Sequence, residues 1–135
     1  MIPSTLAKQL AFLQEIDKLK SVIRLTPLID RSRRENSAEH SWHLALYALV
    51  LADYAAATVD VARVVKMLLI HDIVEIDAGD VPFHAPETHV GQADRERLAA
   101  ERLFGLLSDA QAAEFRDLWF EFEAAESADA QFAKA

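Results

Sequence analysis

Ser4 is followed by Leu6, Leu10, Leu13, Ile16 and Leu19 at spacings of three and four, the repeat of one helix face. The spacing predicts a first amphipathic helix with Ser4 as its cap. Residues 21–37 break the pattern. Pro27 forbids helix continuation, and the polar string from Asp30 to Ser37 reads as a loop. A second helix is expected from about Ala38 to Ala56, through Leu44, Leu46, Tyr47, Val50 and Leu51, with Ser37 as N-cap and His40 in its first turn. Asp60 caps a third helix through Val61, Val64, Val65, Leu68 and Leu69, ending near Val74 or Glu75. From Met67 to Ile70 this helix is apolar on nearly every face, so it is expected to cross the core.

Residues 76–92 hold Gly79, Pro82, Pro86 and Gly91 and form the longest expected loop, a length that usually signals function in a small domain. A fourth helix follows from Asp94 to Leu107. Ser108 caps a fifth that carries Leu118, Trp119 and Phe122, and Ser127 a short sixth. Trp119, Phe120 and Phe122 have core spacing, whereas Glu121, Glu123 and Glu126 read as a solvated face. No alternating strand pattern, repeat or linker is visible. The expectation is an all-α, single-domain bundle of about five or six helices spanning residues 1–135.

Composition agrees with that reading. Hydrophobic residues make up 52% of the 135 and charged residues 27%, with only 3 Gly and 4 Pro, a balance that favours helix in one soluble core. Absence of cysteine removes disulfides and thiolate metal ligands. No run approaches the roughly 20 apolar residues of a membrane span, and the first residues lack a secretory pattern. The reading is therefore cytoplasmic with no membrane partner. A net charge of −8 argues against a nucleic-acid binder. The charge is uneven, however. Lys18, Lys20, Arg24, Arg31, Arg33 and Arg34 face a single acid, Asp30, within residues 18–34, a local cationic stretch suited to a small anion or simply to solvent.

The pair His71-Asp72 closes the apolar run of the third helix. An imidazole and a carboxylate beside a core require a partner or a metal. Alone, the dipeptide reads more readily as a satisfied structural pair. Its surroundings alter the balance. Arg34-Glu35-Asn36 leads into Glu39-His40-Ser41, and His71-Asp72 into Glu75, Gly79-Asp80 and Pro82, so polar groups gather at two helix ends and two long loops, as around a cleft. His40 is the best third ligand. His43 reads as a neighbouring or surface histidine, and His84 and His89 as exposed loop residues.

Arg34-Glu35-Asn36-Ser37-Ala38-Glu39-His40-Ser41, Leu69-Ile70-His71-Asp72-Ile73-Val74-Glu75 and Ala78-Gly79-Asp80-Val81-Pro82 resemble the motifs of HD-domain phosphohydrolases, nearest the bacterial 5′-deoxynucleotidase branch. The resemblance covers the chain from about Leu19 onward. It implies an HD-type helical bundle, one divalent metal ion (Mn, Co, Fe, Ni, Zn or Mg) on His40, His71 and Asp72, and hydrolysis of (deoxy)nucleoside 5′-monophosphates. Glu75 and Asp80 would act near the attacking water, and Arg24 would meet the phosphate. Separately from the resemblance, Arg34 of the basic stretch is read as a further substrate-binding residue that steers phosphate, or else as a partner for Glu35 or Glu39. A fourth ligand is implied just beyond Lys134, past the last residue of this sequence; truncation, or substitution by Asp129, accounts for that. Other nucleotides, such as a triphosphate or an alarmone, or a non-catalytic module with an incomplete metal site, are the competing readings. A homodimer through the apolar helices with Trp119 and Phe122 is expected.

Overall fold

The computed structural model describes residues 4–79 and 91–135. Its elements are α1 (Ser4–Ile16), a 3₁₀ turn (Asp17–Ser21), β1 (Ile23–Pro27), β2 (Arg34–Asn36), α2 (Ser37–Leu51), α3 (Val61–Ile70), α4 (Glu75–Ala78), α5 (Gln92–Phe104), α6 (Asp109–Ala124) and α7 (Ala128–Lys134). Helices dominate, as the spacing predicts. Among the described residues none is long and apolar enough to cross a membrane.

α3 is the axis of the bundle. It packs against α2, α6 and α7, and Val64 and Met67 are fully buried with Leu68 and Ile70 nearly so. A second layer forms where α5 lies on α6, α4 and α1, burying Ala99, Ala100, Leu103 and Phe104. Phe12, Phe104 and Phe115 meet there with centroids 6.1–6.4 Å apart, within the range of favourable ring contacts. Trp119 and Phe122 belong to this core.

Three local expectations change. In α1 the period is right and the phase is wrong. Phe12 faces the core, whereas Leu6, Leu10 and Leu13 are exposed, because α1 touches the bundle along the side bearing Gln9, Phe12 and Ile16. The segment expected as loop contains an antiparallel hairpin, with Ile23 opposite Asn36 and Pro27 opposite Arg34. Its alternation is too short to announce two strands, and pairing alone reveals them. The third helix stops at Ile70 rather than near Val74, and residues 71–74 turn before α4.

Entry into α2 is set by a reciprocal cap. Asn36, not Ser37, is the N-cap: its side chain accepts from the Glu39 N–H at 2.9 Å, and the Glu39 carboxylate accepts from the Asn36 N–H at 2.7 Å. Arg33 closes the other side of Glu39 with two contacts of 2.6 and 2.9 Å. α4 is held from the far side, where Arg102 of α5 donates twice to Asp77 at 2.6 and 2.8 Å and once to Glu15 of α1 at 3.0 Å. Glu121 does not lie on a solvated face; it accepts from Arg63 and Ser127.

The Arg33 guanidinium and the Asn36 N–H hold the Glu39 carboxyl near about 2 against an ordinary value of 4.5. A lowered folded-state value means stability present above pH 4.5 and lost as pH falls towards about 2. Glu39→Gln is expected to flatten the acid limb of a stability-against-pH curve in that window, measured by urea unfolding. An unchanged acid limb would show that Glu39 does not contribute.

Candidate metal centre

His40 lies in the first turn of α2, where the capping box fixes the direction of the helix. His71 and Asp72 follow the last residue of α3. Successive residues within a helix point about 100° apart, and the turn after Ile70 releases both side chains towards one point. One ligand atom each from His40, His71 and Asp72 lies within 4.8 Å of the others. The two imidazole centroids are 5.9 Å apart, and Phe122 of α6 packs against His71 at 5.0 Å.

The hydrogen bonds select which nitrogens face the cluster. His71 donates Nδ1–H to the Leu68 carbonyl at 2.6 Å, which leaves Nε2 as the lone-pair nitrogen, 3.2 Å from Asp72 Oδ1. A backbone carbonyl that fixes the tautomer is the usual support for a metal-binding imidazole. His40 Nδ1 meets Arg24 Nη1 at 2.9 Å and Glu35 Oε1 at 3.1 Å. Burial, and then the Arg24 charge, pushes the His40 imidazole below its ordinary value, so it is neutral at pH 7. Two imidazoles and a carboxylate are a donor set that could hold a divalent ion.

The hairpin builds the adjoining wall. Arg24 on β1 and Glu35 on β2 pair at 2.8 Å across the strands. The connection between them turns at Arg31, whose φ is 61°, and is tied by the Ser32 N–H donating to Asp30 Oδ1. Between this hairpin and α2 lies a cleft of about 570 Å³, lined among others by Arg24, Asp30, Glu35, His40, His43 and Tyr47. That volume suits a small ligand. His43 stands against Tyr47 at 4.7 Å, facing the cleft rather than the cluster.

Glu75 opens α4 one turn beyond His71, and the Ser37 hydroxyl donates to its Oε2 at 3.0 Å. Ser37 is completely buried. The contact joins the two sequence motifs, and its buried hydroxyl is a polar group that reading Ser37 as a cap overlooks. Glu35, which the sequence shows only as part of the polar lead-in to α2 or as a partner for Arg34, reaches both Arg24 and His40. Arg34 is exposed on β2 and does not line the cleft. Asp129 is not a substitute ligand: it accepts from the Asp60 N–H and from Arg63 at 2.8 Å each, at the start of α3, whereas His71 follows its other end. Asp80, His84 and His89 lie outside the described residues.

The 5′-deoxynucleotidase HDDC2 of Danio rerio is 32% identical over 130 residues, covering 93% of this chain and 62% of its own length. The 5′-deoxynucleotidase plu3092 of Photorhabdus laumondii is 28% identical over 115 residues, covering 79% and 58%. The chain thus spans about three-fifths of these curated relatives. A solved structure described as a predicted metal-dependent phosphohydrolase from Magnetospirillum magnetotacticum superposes with a TM-score of 0.90 at 58% identity, covering 97% of this chain and 67% of that one. The family model for the HD domain matches residues 16–135, which takes in the hairpin, His40, His71 and every helix after α1; this chain belongs to the HD domain family.

Proposed function

We propose that this chain carries the active site of a divalent-metal-dependent phosphohydrolase that converts (deoxy)nucleoside 5′-monophosphates to nucleoside and phosphate. The observation behind this reading is the convergence of His40, His71 and Asp72 beside a cleft whose wall holds Arg24. The 5′-deoxynucleotidase and phosphohydrolase names of its relatives support the substrate class.

The proposed ligands are His40 Nε2, His71 Nε2 and the Asp72 carboxylate. Two nitrogens among three donors favour Mn, Co, Fe, Ni or Zn over Mg. When bound, such an ion supplies positive charge at the phosphoryl oxygens and hydroxide at neutral pH. Arg24 binds the non-bridging phosphate oxygens through its planar fork. Glu75, aimed by Ser37, orients the attacking water and takes its proton. Asp80 takes the role the resemblance gives it, near the attacking water or on the sugar hydroxyl. Arg34, exposed on the same hairpin, draws the incoming anion towards the cleft at longer range.

Among the described residues Arg24 is the only cation lining the cleft, next to the acids Asp30 and Glu35. One cation matches one phosphoryl group. A triphosphate or alarmone would bring several more negative charges against the same wall, so the monophosphate is preferred. A homodimer is part of the proposal, but not through Trp119 and Phe122, which are core. The outer face of α2, with Trp42 60%, Leu49 54% and Val50 74% exposed, is the apolar surface a second copy would cover.

Metal-loaded protein is expected to release inorganic phosphate from at least one dNMP, and His71→Ala to lose both bound metal and turnover. Phosphate release from none of the dNMPs would reject the hydrolase reading, and full metal content in His71→Ala would reject the site. Ser37→Ala is expected to lower kcat about tenfold with KM nearly unchanged, as removal of a hydrogen bond to a charged group implies; a change confined to KM would place Ser37 in binding instead. Val50→Glu is expected to convert a dimer to a monomer in light scattering, and a monomeric wild type would dispose of the dimer.

A further inference from the structure

Three polar groups share one nitrogen at the junction of the hairpin and α2. Arg24 Nη1 is 2.8 Å from Glu35 Oε1 and 2.9 Å from His40 Nδ1, and that same nitrogen is 3.1 Å from the same Glu35 oxygen. These contacts cannot all be made at once. A neutral imidazole carries one N–H. If Arg24 donates to Nδ1, that nitrogen is the acceptor and Nε2 bears the proton, so Nε2 offers no lone pair. If Nδ1–H donates to Glu35, Nε2 is ready to bind a cation, and the Arg24 N–H has lost its acceptor on the ring.

We propose that Glu35 is the positioning residue that sets the metal-binding tautomer of His40, and that Arg24 competes with it for His40 Nδ1 until a phosphate group draws the guanidinium away. The inference rests on the metal-site reading above and extends it. His71 needs no such arrangement, because the Leu68 carbonyl can only accept and locks its tautomer permanently. His40 alone of the two is switchable. The consequence is coupling: the anion that occupies Arg24 prepares Nε2 of His40 for the cation. By linkage, the cation must strengthen anion binding by the same factor. The site is thereby biased towards holding metal and phosphate together.

The test separates this coupling from direct contact between phosphate and metal by reading the tautomer in metal-free protein. Long-range ¹H–¹⁵N imidazole spectra at pH 7.5 are expected to show His40 mainly as Nε2–H in the wild type. Inorganic phosphate is expected to shift it towards Nδ1–H, and Arg24→Met to show Nδ1–H without phosphate. In calorimetric titrations with Zn²⁺ alone, Arg24→Met is expected to bind several-fold more tightly, by the reciprocal of the competent fraction in the wild type. Glu35→Ala, which leaves Arg24 as the partner of Nδ1, is expected to bind about 10- to 100-fold more weakly. A His40 tautomer unmoved by phosphate and by Arg24→Met, in protein that binds Zn²⁺, overturns the inference while leaving the site intact. Wild-type protein that takes up no Zn²⁺ overturns the site reading and this inference with it.

Discussion

The Leu68 carbonyl and the His71 imidazole form the contact on which the candidate site turns. Helix ends leave carbonyls that seek donors, and here a side chain just beyond the helix supplies one at 2.6 Å. The bond orients the ring, fixes the proton on Nδ1 and leaves the opposite nitrogen beside Asp72. It requires α3 to stop at Ile70. Had the helix run on to Val74, His71 and Asp72 would have diverged on its surface.

The rest of the molecule supports that geometry from several directions. Burial of Val64, Met67 and Leu68 between α2, α6 and α7 makes α3 the rigid part. α2 is brought alongside by the same core, and its direction at His40 is set by the exchange between Asn36 and Glu39. α4 would be a weak element alone, with only four residues, but Arg102 fastens it to α5 through Asp77. Ser37 then links the start of α2 to Glu75. Each candidate site side chain thus stands on a backbone segment restrained by a contact outside the site.

The hairpin adds what the helices lack. A helical bundle presents ligands well but offers few walls for a small anion. β1 and β2 bring Arg24 and Glu35 opposite each other, and both reach His40. The proposed metal donor His40 and the proposed phosphate-binding Arg24 therefore share one hydrogen-bonding group, which is the basis of the coupling proposed above.

Helical class, the main helices and the apolar character of α3 follow from periodicity and composition, because burial of an apolar stripe is a property each segment carries locally. The histidines and aspartate were legible for a related reason: such groups next to an apolar run need a partner wherever the chain goes. Other features depend on neighbours. Which side of α1 meets the core was decided by Phe12 rather than by the leucine stripe, since packing selects a phase that period alone leaves open. The strands exist only because they pair. Ser37 and Asp129 both departed from their expected roles as cap and substitute ligand, one committed to Glu75 and the other to the start of α3, because hydrogen-bond partners 38 or 69 residues apart are chosen by the folded core. Local pattern determines what a segment must bury; only tertiary structure determines which polar groups are left facing one another.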